Sequence, residues 1–249
     1  MTTTRPLQDK IAVVTGGSRS IGAAIAKRLA GDGATVVLTY HASPDKAQAV
    51  VGQIEAGGDK ALALQADAGD PHAVRAAVAS VAERFGRIDI LVNNAGISVL
   101  GDPTEIAFAD FERILAVNVT GVFVATQEAL RHMGAGGRVI HIGSSMVQYA
   151  AFPTASAYTL TKGAVTGFTR GLVRDLGPKG ITVNTVLPGP TDSDMNPADG
   201  AVADIVKPGI AVGRYGEGSD IAAAVAYLAS AEAGFVSGAE LLVDGGFTA

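Results

Sequence analysis

Short runs of β-branched and other apolar residues recur along the chain, and Ala-rich or polar segments separate them. These runs predict seven strands, at residues 11–15, 35–40, 61–66, 89–94, 138–143, 181–187 and 240–245. The intervening segments have helical spacing, as in IGAAIAKRLAGDG at 21–33, which ends at a glycine suited to a helix C-terminus. Apolar strands that alternate with helices predict a parallel sheet covered on both faces. We therefore expect an α/β, single-domain Rossmann fold over residues 1–249, with a doubly wound seven-stranded parallel sheet.

Composition supports a large buried core and narrows the choice of partners. Hydrophobic residues make up 48% of the 249 residues and charged residues 17%, which argues against disorder. The net charge of -5 does not suit duplex binding, so we expect no nucleic acid partner. No apolar stretch of about 18 residues predicts a membrane span, and the polar opening MTTTRPLQDK does not resemble a signal peptide. With no cysteine and four scattered histidines no metal site is predicted, and the expected location is cytoplasmic.

A glycine-rich turn, TGGSRSIG at residues 15–22, joins the first predicted strand to the first helix. Such a turn leaves backbone N–H groups uncovered at the positive end of a helix, where a pyrophosphate binds. The dinucleotide fingerprint has three glycines; here Gly16 and Gly22 are present, and Ser20 stands at the middle position. An isolated glycine cluster also fits an ordinary strand-to-helix turn. Its place after the first strand of this pattern favours a dinucleotide site.

The end of the second strand indicates which dinucleotide is bound. NAD sites carry an acidic residue there, which binds the ribose 2′-hydroxyl. This chain instead has Tyr40, His41 and Ser43 in the sequence TYHAS, with no carboxylate. A 2′-phosphate would meet Arg19 of the glycine turn and these polar groups without like-charge repulsion. NADP(H) is therefore the preferred cofactor, and NAD(H) remains an alternative.

A candidate proton donor lies in the sequence YTLTK, where Tyr158 and Lys162 are four residues apart and share one face of a predicted helix. A tyrosine is a poor proton shuttle at neutral pH because its reference pKa is about 10. The lysine charge, with the positive nicotinamide ring of the oxidised complex, is expected to lower that pKa. A lowering of roughly 3 units corresponds to about 4 kcal/mol. The pair alone is weak evidence, because it also arises on solvated helix faces.

Together these motifs resemble those of the classical short-chain dehydrogenase/reductase family, and among its members the 3-oxoacyl-carrier-protein reductases. The resemblance covers essentially the whole chain. It includes Asp67-Ala68 after the third strand, NNAG ending at Gly96, Asn118 in VNVTG, NTVLPG ending at Gly189, and Ser193-Asp194-Met195. Each motif also has a simpler explanation, such as a helix cap or a loop break. Their occurrence together, in the family's order, favours the family.

The resemblance implies the site residues. In the family the aspartate contacts the adenine, and the segment from 184 to 195 closes over the nicotinamide. The implied cofactor-binding residues are Gly16, Ser18, Arg19, Ser20, Ile21, Gly22, Tyr40, His41, Ser43, Asp67, Ala68, Asn94, Ala95, Gly96, Tyr158, Lys162, Pro188, Gly189 and Ser193. The implied catalytic residues are Asn118, Ser144, Tyr158 and Lys162.

The family's carbonyl-polarising serine has two candidates in this chain. Counting from the end of the fifth strand gives Ser144, whereas counting thirteen residues back from Tyr158 gives Ser145. We favour Ser144, because a strand fixes the register more rigidly than the loop that follows it. The resemblance also implies that Asn118 holds a water that links Lys162 to solvent.

The substrate pocket is expected from residues 97–109, 146–156 and 189–209. Its apolar members are Val99, Leu100, Met146, Val147, Tyr149, Phe152 and Met195, and its acidic members are Asp192, Asp194, Asp199 and Asp204. No basic residue occurs there before Lys207, which favours a small or apolar ketone over a polyanion. An acyl thioester on a carrier protein stays open, with Arg131 and Lys179 as candidate docking residues.

The expected activity is an NADPH-dependent carbonyl reductase, in which Tyr158 acts as general acid on a ketone or a 3-oxoacyl group. The family resemblance also implies a homotetramer, and the apolar tail AELLVDGGFTA suits an interface strand. One alternative is a sugar or polyol dehydrogenase, which the missing acid near Tyr40 disfavours. An alternative of another class is a non-catalytic dinucleotide-binding regulator, which would not need the complete catalytic set.

Overall fold

A computed structural model describes residues 5–249; residues 1–4, which begin the polar opening segment, lie outside the described residues. Within the described residues, seven strands form one parallel sheet. The strands are β1 (Ile11–Val14), β2 (Thr35–Tyr40), β3 (Ala61–Gln65), β4 (Ile90–Asn93), β5 (Arg138–Ile142), β6 (Thr182–Pro188) and β7 (Glu240–Val243). All seven predicted strands are therefore confirmed, with their ends shifted by at most two residues.

Helices connect successive strands. They are α1 (Ser20–Gly31), α2 (Pro44–Ala56), α3 (Pro71–Phe85), α4 (Phe108–Leu115), α5 (Gly121–Leu130), α6 (Ser156–Leu176), α7 (Ala201–Val206) and α8 (Gly218–Ala229). The segment Ala116–Thr120 between α4 and α5 is a π-helical turn. Helix α1 begins one residue before the predicted segment and ends two residues before Gly33, which has a φ of +109°. In the described part of the chain, no helix is both long and apolar enough to cross a membrane.

The strand order is β3-β2-β1-β4-β5-β6-β7. Chain order therefore runs outward in both directions from β1 and β4, which is the arrangement of a doubly wound sheet. Because all the strands are parallel, the loops that follow β1 and β4 leave the same edge of the sheet. Ligands of such folds bind in the crevice at that reversal point.

Each face of the sheet is covered by its own apolar layer. Along β1, Ala12 and Val14 face the layer that contains α1, α2 and α8, whereas Ile11 and Val13 face the layer that contains α3, α5 and α6. Alternate residues of a strand point to opposite faces, so a strand covered on both sides must be apolar throughout. The predicted α/β Rossmann fold with helices on both faces is confirmed.

A third, smaller cluster lies beyond the carboxyl edge of the sheet. It consists of Ala203 and Val206 of α7 with Ile210 and Tyr215, and Phe247 packs against it. The Tyr215 hydroxyl donates to Asn196 Oδ1 at 2.9 Å. The segment after β6 therefore packs around a small apolar cluster of its own at this edge of the sheet.

Candidate active site

The glycine turn after β1 has no room for side chains at its two fingerprint glycines. Gly16 has a φ of +65°, and a Cβ there would lie 2.9 Å from Ala95 Cα. A Cβ at Gly22 would lie 2.3 Å from the Gly16 carbonyl oxygen and 2.5 Å from Asn94 Nδ2. Real Cβ atoms do not approach that closely, so both positions need glycine. The turn thus keeps bare backbone at the start of α1, which fits the pyrophosphate of a dinucleotide.

The end of β4 holds this turn in shape. Thr15 Oγ1 accepts hydrogen bonds from the backbone N–H groups of Asn94 and Ala95, each at 3.0 Å. Asn94 Nδ2 donates to the carbonyl oxygens of Thr15 and Gly16, also at 3.0 Å. Asn94, which is expected to bind the cofactor, lines the cleft, and its side-chain nitrogen bridges the two strand ends at that wall.

The predicted cofactor-binding residues lie together in one cleft of about 890 Å³. This volume is within the range of about 300–1,000 Å³ that is typical of ligand sites. Its lining includes Gly16, Ser18, Arg19, Ser20, Ile21, Gly22, Tyr40, His41, Ser43, Asp67, Ala68, Asn94, Ala95, Gly96, Tyr158, Lys162, Pro188, Gly189 and Ser193. The cleft follows the carboxyl ends of β1, β2, β4, β5 and β6, as the fold predicts.

Lys162 lies in the first turns of α6, where its side chain is 6% exposed. Its Nζ is 5.7 Å from the ring centre of Tyr158 and donates a hydrogen bond to the Ile142 carbonyl oxygen at 2.9 Å. Burial lowers the pKa of Lys162 from 10.5 to about 8. The ammonium therefore stays charged at neutral pH, close to the phenol and at the wall of the cleft.

The pKa of Tyr158 in the ligand-free protein is raised. Burial raises it above the ordinary value of 10.0, and only a hydrogen bond with the Ser144 hydroxyl works in the opposite direction. Burial therefore decides the direction in the ligand-free protein, and the lowering expected from Lys162 together with the nicotinamide ring of the oxidised complex stays a prediction. A raised pKa keeps the phenol protonated, which is the form that a general acid needs.

The two candidate serines differ in their surroundings. Ser144 follows β5, precedes the short 3₁₀ turn Ser145–Val147, and accepts a hydrogen bond from the N–H of Met146 at 3.2 Å. Its hydroxyl lies near enough to the Tyr158 phenol to lower the pKa of that group. Ser145 is 2% exposed, and both serines border the cleft. The influence on the phenol supports Ser144 as the residue that acts with Tyr158.

Asn118 lies in the π-helical turn, beneath the cleft, and is 1% exposed. Its Oδ1 accepts from the N–H of Ile97 at 2.9 Å, and its Nδ2 donates to the Ile97 carbonyl oxygen at 2.9 Å and to Thr161 Oγ1 at 3.0 Å. Both amide hydrogens are thus used within the protein. The side chain thus ties the loop after β4 to α6, and any water held by Asn118 would have to donate to one of its oxygens; the expected role as a water holder stays a prediction.

The adenosine side of the cleft carries charges that the sequence analysis did not anticipate. Asp67 Oδ1 accepts from Arg113 Nη2 and from the N–H of Gly69, both at 2.8 Å, and its Oδ2 is 3.9 Å from His41 Nδ1. The hydrogen bond from Arg113 leads the contributions that lower the pKa of Asp67. Arg113 lines the cleft, and its place one helical turn before the VNVTG motif was the available signal.

Arg19 and Ser20 were expected to face the cofactor, and both contact Asp194 in the structure. Arg19 Nη1 lies 3.1 Å from Asp194 Oδ2, and Ser20 Oγ donates to Asp194 Oδ1 at 3.1 Å. Lys46 of α2 completes the group at 3.5 Å from the same Oδ2. Lys46 was missed, although it is the first basic residue after the acid-free end of β2.

The substrate end of the cleft is largely apolar. Of the predicted apolar residues, Leu100, Met146, Phe152 and Met195 line it. Val99, Val147 and Tyr149 do not belong to the lining, and of the four predicted aspartates only Asp194 does. Val202 and Val206 of α7 complete the predicted segments, and Phe247 was missed because it comes from the C-terminal tail. Within residues 5–249, no group of three or more metal-ligating side chains is present.

The candidate docking residue Arg131 is already paired in the structure. Its Nη1 lies 2.9 Å from Glu128 Oε2, a carboxylate that also contacts His132 and Arg75. Because its guanidinium is already paired with Glu128, Arg131 is a weaker candidate for docking a carrier protein.

Comparisons with known proteins agree with the fold and show the family. A family model described as "Enoyl-(Acyl carrier protein) reductase" matches residues 16–248. The chain is 53% identical to a short chain dehydrogenase from Burkholderia cenocepacia J2315, solved in complex with NADP, with a TM-score of 0.96 over 98% of this chain and 100% of that one. It is 42% identical over 240 residues to the cyclic-di-GMP-binding biofilm dispersal mediator protein of Escherichia coli K12, covering 96% and 98% of the two chains. It is 40% identical over 253 residues to versicolorin reductase 1 of Aspergillus parasiticus, covering 96% and 97%. The chain therefore belongs to the short-chain dehydrogenase/reductase family of NAD(P)-dependent oxidoreductases.

Proposed function

We propose that the protein is an NADPH-dependent carbonyl reductase that converts a ketone into a secondary alcohol. The observation that carries this proposal is the convergence, at one cleft, of the bare glycine turn, the Ser144–Tyr158 hydroxyl pair and the charged Lys162. When bound, the dinucleotide supplies the hydride, and the chain supplies binding, orientation and the proton.

The chain's own residues suit general acid catalysis. Ser144 and Tyr158 both border the cleft, and the Ser144 hydroxyl lies near enough to lower the pKa of the phenol, so both hydroxyls can donate to one carbonyl oxygen. Tyr158 is protonated at neutral pH and gives its proton to the oxygen as negative charge develops there. The Lys162 ammonium then stabilises the phenolate that remains, because it is a buried positive charge one helical turn away. Asn118 keeps α6 and the loop after β4 in the required positions.

The preference for NADP(H) rests on charge. The end of β2 offers Tyr40, His41 and Ser43 and no carboxylate, and Arg19 lines the same cleft. An acidic residue at the end of β2 would repel a 2′-phosphate, and none is present there. The similar Burkholderia cenocepacia structure was solved with NADP, which supports the same choice here.

The substrate that fits best is an apolar ketone. Leu100, Met146, Phe152, Met195 and Phe247 supply most of the surface beyond the catalytic pair, and the aromatic rings suit a flat or aromatic substrate. A 3-oxoacyl thioester is the second candidate, because an acyl chain would find the same apolar wall while its carrier stays outside. Similarity to versicolorin reductase 1 supports reduction as the direction of the reaction.

The decisive experiment compares Tyr158→Phe with Tyr149→Phe. Tyr149 is 52% exposed and lies in the loop that precedes α6, and it does not line the cleft. We expect Tyr158→Phe to keep the NADPH dissociation constant within about twofold and to lose at least 100-fold in kcat, the typical contribution of a general acid. Tyr149→Phe should keep both. Loss of NADPH absorbance with a panel of aryl ketones, alkyl ketones and 3-oxoacyl thioesters is the measurement. Near-normal turnover by Tyr158→Phe would refute the assignment.

Two other functions are distinguished when the panel is extended to sugars and polyols with NAD⁺. A sugar or polyol dehydrogenase would oxidise these alcohols faster than it reduces any ketone. A non-catalytic regulator would bind NADPH without turning over any substrate; the binding activity named for the Escherichia coli relative makes this a real alternative. The intact Ser144, Tyr158 and Lys162 arrangement favours the enzyme.

The assembly we propose is a homotetramer. Phe123 of α5 and Leu160 of α6 are 48% and 52% exposed, and Phe108 of α4 is 70% exposed. A second copy that covers these helices would bury them. Light scattering of Phe123→Glu should give a smaller species than the wild type if these helices form an interface. A cytoplasmic location completes the proposal, and cell fractionation would test it.

A further inference from the structure

The adenosine corner of the cleft holds an ionised side chain of the protein itself. The Asp194 carboxylate is 3.1 Å from Arg19 Nη1 and 3.5 Å from Lys46 Nζ, and the Ser20 hydroxyl donates to it at 3.1 Å. The backbone N–H of Asp194 donates back to Ser20 Oγ at 3.2 Å. Three elements meet in these contacts, namely the glycine turn, α2 and the segment after β6. Two cations and a hydroxyl therefore converge on one anion.

One of these cations lines the cofactor cleft, and the other lies at its border. Arg19 and Asp194 are both lining residues, as are His41 and Ser43 at the end of β2, whereas Lys46 reaches the cleft through its contact with Asp194 at 3.5 Å. Desolvation alone would raise the pKa of the Asp194 carboxyl, but the hydroxyl of Ser20 and the charges of Lys46 and Arg19 together lower it. Asp194 is therefore an anion at neutral pH, and a phosphorylated cofactor would bring a second anion to the same place.

Ser20 shows that the contact with Asp194 has a structural cost. Ser20 has a φ of +48°, in the left-handed region where the family's glycine would be unstrained. A serine in that conformation is disfavoured by its Cβ. Its hydroxyl, however, makes two hydrogen bonds to Asp194 that a glycine could not make. The serine thus joins the phosphate-binding turn to the segment that carries Met195 and the substrate wall.

We infer that Asp194 is an internal stand-in for the 2′-phosphate of the cofactor, and that Lys46, with Arg19, selects the phosphorylated dinucleotide. The inference rests on the proposed NADPH dependence. It adds Asp194 as a competitor of the 2′-phosphate and Lys46 as a second cation beside Arg19. A phosphate monoester carries more than one negative charge at neutral pH and forms charge-assisted hydrogen bonds, so it displaces a single carboxylate from this pair of cations. When the phosphate displaces the Asp194 carboxylate, the segment after β6 also loses its hydrogen bonds to Ser20. Binding of the phosphate at the adenosine end would therefore also release the segment that carries part of the substrate wall.

The test measures dissociation constants for NADPH, NADH and 2′,5′-ADP, by cofactor fluorescence and by calorimetry. The variants are Lys46→Gln and Asp194→Asn. Lys27→Gln is the matched control for charge loss on an exposed helix face, and Asp199→Asn is the matched control in the segment of Asp194. Partly exposed charge pairs are worth up to about 1 kcal/mol, which is about fivefold in affinity.

Lys46→Gln should weaken NADPH and 2′,5′-ADP by about fivefold and leave NADH unchanged. Asp194→Asn should tighten NADPH and 2′,5′-ADP by about threefold, again without effect on NADH. Both effects should shrink in 0.5 M salt, because the charges involved are exposed. The controls should match the wild type.

The outcomes separate this inference from the proposed function. If the wild type binds NADPH in preference to NADH but both variants behave like their controls, the inference is overturned and the proposed NADPH dependence stands. Weaker NADPH binding by Asp194→Asn also overturns it, because Asp194 would then assist the bound state. If the wild type does not distinguish NADPH from NADH, the cofactor assignment itself fails, and the inference fails with it.

Discussion

Replacing Lys162 with methionine should stabilise the fold at pH 7 while removing activity. Lys162 is 6% exposed, and burial lowers its pKa from 10.5 to about 8. At pH 7 the folded protein therefore carries a buried charge that water would hold more favourably. Methionine fills a similar volume without that charge. Activity is lost because the phenolate of Tyr158 no longer has a positive neighbour.

The size of the effect follows from the pKa. A pKa of about 8 in the folded state against 10.5 in the unfolded chain costs roughly 3 kcal/mol at pH 7, at about 1.36 kcal/mol for each pH unit. Loss of the hydrogen bond to the Ile142 carbonyl oxygen offsets about 1 kcal/mol. A net gain of roughly 2 kcal/mol remains.

The sign of the pH dependence is fixed as well. Between pH 8 and 10.5 the unfolded chain binds the Lys162 proton and the folded protein does not, so wild-type stability rises with pH through this window. The advantage of methionine should therefore be complete below pH 8 and shrink above it. Urea denaturation of wild type, Lys162→Met and the exposed control Lys27→Met at pH 7, 8.5 and 10 measures this difference. A methionine variant that is less stable than wild type at pH 7, or a difference independent of pH, would refute the reasoning.

Three further predictions concern other parts of the cleft and its support. Gly22→Ala places a Cβ 2.3 Å from the Gly16 carbonyl oxygen, so we expect at least tenfold weaker NADPH binding and a loss of about 1–3 kcal/mol, measured by titration and urea denaturation. Asn118→Ala should lower the melting temperature, and it should reduce kcat by a larger factor than NADPH affinity, since it releases α6. Equal losses of kcat and of NADPH affinity would contradict the role of Asn118 in tying the loop after β4 to α6. Burial, aided by the Lys162 charge, lowers the pKa of His141 from 6.5 to about 3, so wild type should lose stability as pH falls through that window and His141→Leu should lose less.

Much of the cofactor half of the cleft could be predicted from the sequence, because its signals are local. The glycine turn, the acid-free end of β2 and the NNAG segment each place a few consecutive residues at the end of a strand, and parallel strands bring those ends to one edge. Tyr158 and Lys162 share a helix face by spacing alone. These residues need only the fold to come together.

The parts that could not be predicted depend on contacts between distant segments. Arg113 reaches Asp67 across 46 residues of sequence, and Lys46 reaches Asp194 across 148. The raised pKa of Tyr158 depends on how completely the surrounding chain excludes water, which no spacing of residues encodes. The choice between Ser144 and Ser145 needed the position of the phenol relative to the end of β5.

The tail of the chain gives the protein a way to change what it recognises without changing what it does. Phe247 forms part of the cleft wall. The tail can lie there because Gly189 has no side chain: a Cβ at Gly189 would lie only 2.4 Å from Asp244 Cβ. Asp244 in turn accepts hydrogen bonds from Thr248 and from the N–H of Gly246. Substitutions in these last residues would reshape the wall that meets the substrate and leave hydride and proton transfer untouched. The substrate selectivity of this protein can therefore change, by evolution or by engineering, through substitutions in its C-terminal tail.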